Sequence, residues 1–106
     1  MQVDDVLEAL SDRTRRAVFD RLRAGPRSVG ELADGMAVSR PAVSQHLKVL
    51  KAARLVVDRA EGTRRIYAIQ PKGLEPVRKW LDGVWDDALE RFKEAAEQEA
   101  GKGATK

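Results

Sequence analysis

Two helix starts lie close together in SVGELADGMAVSRPAVSQHLKVLKAA, residues 28–53, and this spacing constrains the fold more than any other feature. Ser28 and Glu31 have the spacing of a capping box, in which each side chain accepts the amide hydrogen of the other residue. Gly35 is suited to end a helix of about two turns, and Ser39 is suited to cap the next one. The segment therefore predicts two short helices joined by a tight turn, the second ending near residue 53.

The flanking segments predict a mainly α fold with a small β-hairpin (α+β). Helical apolar spacing occurs twice before the pair, in VDDVLEAL and RTRRAVFDRLRAG. In LVVDRAEGTRRIYAI, β-branched and aromatic residues on either side of Gly62 predict two strands and a turn. A long last helix follows Pro71 and Gly73. We expect one domain over residues 1–97, with its last helix at about 73–97. Residues 98–106 have no apolar periodicity and are predicted to form a flexible tail.

Composition removes several classes of function. The 106 residues contain no cysteine, which excludes disulfides, thiolate catalysis and cysteine-based metal sites. No apolar run approaches the roughly 20 residues of a membrane span. The acidic, amphipathic start MQVDDVLEAL is unlike a signal peptide. With one histidine and no phosphate-binding loop, no catalytic constellation is visible. We therefore expect a cytoplasmic protein that is not an enzyme and has no cofactor and no membrane partner.

Positive charge is concentrated in the middle of the chain. Residues 39–65 carry seven Lys and Arg against two acidic residues, whereas residues 71–106 carry seven against eight. A localised basic region is typical of a surface that meets an anionic partner. An ordinary solvated basic surface is the alternative, and charge alone does not separate the two.

The second helix of the pair has a polar face suited to reading DNA. At about 100° per residue, one stripe faces the core and consists of Val43, Leu47 and Leu50. On the opposite side lie Ser44, Gln45 and Lys48, and no acidic residue occurs between residues 39 and 54. Glutamine can pair with adenine, serine can donate or accept, and lysine serves phosphates or guanine. Simple solvent exposure is the alternative interpretation.

The hairpin is a second candidate contact. Its arginines could keep an edge strand soluble, or its basic tip could reach a DNA backbone or minor groove. The predicted DNA contacts are Ser39, Arg40, Pro41, Ser44, Gln45, His46, Lys48, Lys51, Arg59, Thr63, Arg64 and Arg65.

His46 lies on the margin of the apolar stripe, and one histidine cannot form a metal site alone. A site shared across a dimer with Asp82, Asp86 or Asp87 is conceivable, but a local hydrogen bond or a phosphate contact is favoured. We therefore predict no metal.

Both tryptophans lie on the last helix, on an apolar face wider than one small domain needs. A partner helix in a homodimer would cover that face. The predicted dimer interface consists of Val3, Val6, Leu7, Val77, Trp80, Leu81, Val84, Trp85, Ala88, Leu89 and Phe92.

Four motifs, ALSDRTRRAVFDRL, VGELA, SRPAVSQHLKVLKAARLV and EGTRRIYAI, resemble the winged helix-turn-helix repressors of the ArsR/SmtB family, in the family's order. The resemblance covers about Leu7 to Ile69, and one departure is Arg13, where the family usually has proline. It implies that residues 39–53 form the recognition helix, with Arg64 and Arg65 in the wing. It also implies a homodimer on double-stranded DNA, at an inverted-repeat operator, often repressing its own operon.

The family's metal sites do not transfer to this sequence. The first helix of the pair reads ELADGM without cysteine, and the last helix has acidic residues but no histidine. The chain therefore resembles the family's branch that does not sense metals. Two alternatives stay open: a metal- or small-ligand-responsive sensor of the same fold, and a protein-interaction module that does not read DNA.

Overall fold

Five helices and three strands make up the fold, in a computed structural model that describes residues 2–104, with side chains to residue 101. The helices are α1 (Val3–Ala9), α2 (Arg13–Arg21), α3 (Val29–Ala33), α4 (Arg40–Ala52) and α5 (Glu75–Ala104). The strands are β1 (Arg27–Ser28), β2 (Val56–Glu61) and β3 (Arg64–Ile69). Short 3-10 turns occur at Leu22–Ala24 and Pro71–Leu74. The predicted helix order and hairpin are confirmed.

One core is built where α4 packs against α2 and α3, with α1 and the start of β2 closing it. Its fully buried side chains are Val6, Val18, Leu32, Val43, Leu47, Leu50, Leu55 and Val56. The predicted inner stripe of α4 is confirmed, because all three of its apolar side chains are buried. This packing fixes the rotation of α4, so its polar side faces outward.

The sheet has three antiparallel strands in the order β1-β3-β2, whereas the sequence predicted only two. β2 and β3 form the wing, joined by a two-residue turn in which Gly62 has a φ of 64°. β1 pairs only Arg27 with Tyr67 and Ser28 with Ile66. Two residues are too few to show the alternating pattern of a strand, and Ser28 is also the predicted helix cap of α3.

A close backbone contact joins the end of α4 to the start of α5. Arg54 has a φ of 62°, and the Leu55 amide donates to the Leu50 carbonyl at 2.9 Å. This bond is typical of a helix that ends on a left-handed residue. Gly73 lies against the Arg54 carbonyl, and a Cβ on Gly73 would lie 1.8 Å from that oxygen. Only glycine fits here without a shift of the backbone.

α5 is longer than the sequence predicted. It continues to Ala104, because residues 94–100, EAAEQEA, are good helix formers even without an apolar stripe. The flexible tail predicted from residue 98 is therefore helical to residue 104, and residues 105 and 106 lie outside the described residues. Leu74 and Val77 pack on the core, whereas every described side chain from 78 to 101 is exposed. The molecule consequently extends 74 Å along its long axis.

Candidate nucleic-acid interface

Side-chain caps set the start of each helix in the predicted pair. Ser28 and Glu31 form the predicted capping box, since the Glu31 amide donates to the Ser28 hydroxyl and the Ser28 amide donates to the Glu31 carboxylate. The Ser39 hydroxyl accepts the Ala42 amide hydrogen at 3.3 Å, which confirms Ser39 as the N-cap of α4. Arg21 closes the other end of α3 by donating to the carbonyls of Leu32 and Asp34. The pair is thus held by side chains as well as by its core.

The outer face of α4 carries the polar side chains that the sequence placed there. Eleven of the twelve predicted DNA contacts are exposed. They are Ser39, Arg40, Pro41, Ser44, Gln45, Lys48, Lys51, Arg59, Thr63, Arg64 and Arg65. Ser44, Gln45 and Lys48 lie together opposite the buried stripe, so one partner could contact all three side chains at once.

His46 differs from the others, because it is half-buried at the edge of the helix packing. Its charge acts on Asp12, the N-cap of α2. The pKa of Asp12 is lowered, chiefly because its carboxylate accepts the Arg15 amide hydrogen and to a smaller extent by the charge of Arg15 and then of His46. Over the described part of the chain, no three His, Asp or Glu side chains are grouped so that they could hold a metal ion.

The wing arginines are paired with carboxylates. Arg59 contacts Glu61 on its own strand at 3.2 Å. Arg64 reaches Glu31 on α3 at 2.7 Å, joining the wing to the helix pair. Each wing arginine keeps more than half of its side chain exposed.

Asp58 binds two cations at once. Its Oδ1 accepts from Lys51 Nζ at 2.7 Å, and its Oδ2 accepts from Arg65 Nε at 2.6 Å. The Asp58 side chain is 6% exposed, whereas each cation is 55% exposed. The carboxylate thus lies beneath the two cations and links α4 to the wing.

These contacts shift the pKa of three groups. Hydrogen bonds from Lys51 and Arg65 hold the pKa of Asp58 below its ordinary value, and the same contact with Asp58 raises the pKa of Arg65. The pKa of Glu31 is also lowered, first by the Ser28 amide and hydroxyl and then by the charge of Arg64. Both carboxylates therefore stay ionised at neutral pH and keep the wing attached to the helices.

An open groove of about 930 Å³ lies between α3, the start of α4 and the wing. Arg40, Thr63 and Arg64 line it, and the Arg40 guanidinium packs over Gly30, where a Cβ would lie 3.0 Å from it. The groove joins the first turn of α4 to the wing tip, and its charged lining combines Arg40, Arg64 and Arg65 with Glu31 and Asp34.

The apolar face of α5 forms a separate surface. The exposed fraction is 40–52% for Leu7 of α1 and for four side chains of α5, Trp80, Leu81, Val84 and Leu89. It rises to 67% for Trp85 and 73% for Phe92. Ala88 lies among them and is also exposed.

Three residues predicted for that interface belong wholly or partly to the protomer's own core. Val6 is 0% exposed because it is buried in the protomer's own core, so it has no surface to offer a partner. Val77 packs against the core, and Val3 is half-buried.

The sequence reading missed the acidic partners of the wing. Glu31 was seen only as a cap, and Asp58 only as one of two acidic residues in a basic region. A signal for Asp58 exists, since it lies two residues after buried Val56 and so points to the same side of β2. An acidic residue on the inward side of a strand needs a cationic partner.

A helix-turn-helix pair followed by a hairpin, with a basic outer face, defines a winged helix-turn-helix protein. The sequence model of a family described as a helix-turn-helix domain matches residues 10–59. The chain is 54% identical over 96 residues to the HTH-type transcriptional regulator Rv2034 of Mycobacterium tuberculosis, covering 91% of this chain and 90% of that protein.

Two solved structures have the same fold. The ArsR-like transcriptional regulator from Rhodococcus sp. RHA1 superposes with a TM-score of 0.71 at 31% identity, over 88% of this chain and 91% of that one. The homodimeric winged helix-turn-helix DNA-binding domain of Mb0332 from Mycobacterium bovis gives 0.65 at 32% identity, over 85% and 83%. The chain belongs to the ArsR/SmtB family of winged helix-turn-helix transcriptional regulators, as its motifs indicated. None of its described helices has the length and apolar character needed to span a membrane.

Proposed function

We propose that this regulator is a cytoplasmic, non-enzymatic homodimer that binds an inverted-repeat operator in double-stranded DNA and represses transcription. The observation that carries the proposal is the outer face of α4. It presents Ser44, Gln45 and Lys48 next to the exposed wing cations, and no carboxylate lies on the helix itself. Such a helix can enter a major groove without repelling the phosphates.

The apolar face of α5 supports the homodimer. Six large apolar side chains of α5 are exposed in one protomer, more than isolated surface residues would explain. A second copy of α5 with the same face would cover them by two-fold symmetry. Two recognition helices would then bind half-sites about one DNA turn apart, which matches an inverted repeat.

We also place the protein in the branch of the family that does not sense metals. The absence of cysteine leaves no thiolate ligand in the whole chain. Operator affinity should therefore be the same with and without Zn²⁺. A metal-dependent shift of that affinity would contradict this assignment and favour the sensor alternative.

Selection of bound duplexes from a random pool, with and without metals, tests the function directly. We expect one enriched inverted repeat, with an affinity that falls steeply with salt because counterions are released. If no duplex is bound above non-specific strength at moderate salt, the protein does not read DNA and the interaction-module alternative is favoured.

Gln45→Ala then tests the reading face on the selected operator. Loss of one good base contact should weaken operator binding about tenfold or more, without affecting dimerisation. Gln98→Ala, the same change at an exposed position on α5, is the matched control. Equal operator affinity for the two variants would remove Gln45 from the set of base contacts.

A further inference from the structure

The two adjacent wing arginines point to opposite sides of β3, as successive residues of a strand do. Arg64 reaches Glu31 on one side, and Arg65 reaches Asp58 on the other. Each side of the wing is therefore held by one carboxylate. The two carboxylates differ in exposure, because the Glu31 side chain is 50% exposed and that of Asp58 is 6% exposed.

Asp58 orients both of its partners. Arg65 uses Nε for the carboxylate, and the terminal nitrogens of its guanidinium carry donors of their own. Lys51 binds the other oxygen of the same carboxylate, so the two cations stand side by side with most of their surface in solvent. The three side chains together carry one net positive charge.

Lys51 also belongs to the reading face of α4. It follows Ser44 by seven positions and Lys48 by three, a spacing that places all three on one stripe of a helix. The Lys51–Arg65 pair therefore lies where the reading stripe ends and the wing begins. A protein that reads a major groove with α4 and reaches the next groove with its wing must cross a phosphate backbone at this point.

Resting on the proposed function, we propose that Asp58 is a positioning residue for DNA binding: it holds Lys51 and Arg65 as a two-cation clamp for a backbone phosphate between the two grooves. Asp58 does not touch DNA itself. Its carboxylate sets the spacing and direction of the two cations before binding, which lowers the cost of ordering two long side chains in the complex.

Charge and positioning predict opposite effects of Asp58→Asn. The substitution removes a negative charge close to the phosphates, so charge alone would tighten binding to every duplex. Loss of the clamp would instead weaken binding to the operator, where the phosphate has a defined place. The ratio of operator affinity to non-specific affinity separates the two effects.

Glu61→Gln is the matched control. Glu61 lies on the same strand, is 63% exposed and pairs only with Arg59 among the ion pairs of the described residues, so its substitution removes the same charge without touching the clamp. We expect Asp58→Asn to lose about tenfold in operator affinity, the effect of one charge-assisted contact, relative to Glu61→Gln. The two variants should bind a scrambled duplex equally well.

Arg65→Lys completes the test, because it keeps the charge and loses the fixed guanidinium fork. Arg65→Lys should also lower operator affinity and leave scrambled-duplex affinity unchanged. If circular dichroism shows that Asp58→Asn is unfolded, Arg65→Lys alone tests the clamp. The proposal is overturned if these variants keep the operator-to-scrambled ratio of Glu61→Gln. If the wild-type protein itself shows no preference for the selected operator, the proposed function fails first, and the positioning role fails with it.

Discussion

Trp85→Ala should dissociate the proposed homodimer while leaving the protomer folded. Trp85 lies in the middle of the apolar face of α5, is 67% exposed and is remote from the core, so its loss opens no cavity. Truncation removes only surface that a partner would cover. The effect should therefore appear in the dimer dissociation constant and not in the helix content.

The magnitude follows from the exposed area. A tryptophan side chain buries about 150–250 Å², so the exposed part of Trp85 corresponds to roughly 130 Å². At about 25 cal/mol per Å², its coverage contributes about 3 kcal/mol, and two-fold symmetry doubles this to about 6 kcal/mol. Alanine keeps a small part of the contact. We therefore expect the dimer dissociation constant to rise by about four orders of magnitude, at about 1.4 kcal/mol per tenfold.

Sedimentation equilibrium over a range of protein concentrations measures this constant, and circular dichroism checks the fold. Glu90→Ala on the opposite side of α5 is the control, and it should dimerise like the wild-type protein. If Trp85→Ala dimerises as tightly as Glu90→Ala, the apolar face of α5 is not the dimer interface. A wild-type protein that is monomeric at all concentrations would refute the homodimer itself.

Two further predictions concern stability. Gly73→Ala places a Cβ 1.8 Å from the Arg54 carbonyl oxygen and should lower the free energy of unfolding by more than about 1 kcal/mol. Gly83→Ala, in open space on α5, should instead raise the free energy of unfolding by about 0.5–1 kcal/mol. Urea denaturation of both variants checks these opposite signs, and two effects of the same sign would contradict the contact at Gly73. Folding lowers the pKa of Asp58 below 3.8, so the stability that Asp58 contributes is present above pH 3.8 and is lost as the pH falls through its folded pKa. Urea denaturation between pH 5 and 3 should therefore show a smaller loss of unfolding free energy for Asp58→Asn than for the wild-type protein. Identical pH dependence of the two proteins would exclude this contribution.

The helix pair was predictable because its signals are local. A capping box at Ser28, a serine cap at residue 39 and an apolar stripe along α4 each act within a few residues of sequence. The hairpin was predictable for the same reason, since Gly62 lies between two runs rich in β-branched residues. These elements account for the fold class and for the exposure of the reading face.

The contacts between elements were not predictable in this way. Glu31 is 33 residues from Arg64, and no period in the sequence joins the two. Val6 has helical spacing with Leu7 and Val3, but only the packed structure shows that it is buried in the protomer's own core. The helical end of α5 was missed because helix propensity alone extends it, without an apolar pattern. Tertiary packing therefore determines the ion pair of Arg64 and the burial of Val6, and helix propensity determines the length of α5, whereas apolar periodicity predicts none of the three.

The long last helix also converts a small rotation at its base into a large displacement of its far end. Its 30 residues span about 45 Å, and its base is held by Val77 on the core and by contacts with α1. A rotation of about 10° at Gly73 would move the far end of the helix by roughly 8 Å, by simple geometry on that length. A spin label or fluorophore near residue 100 would thus report small changes of angle at the base.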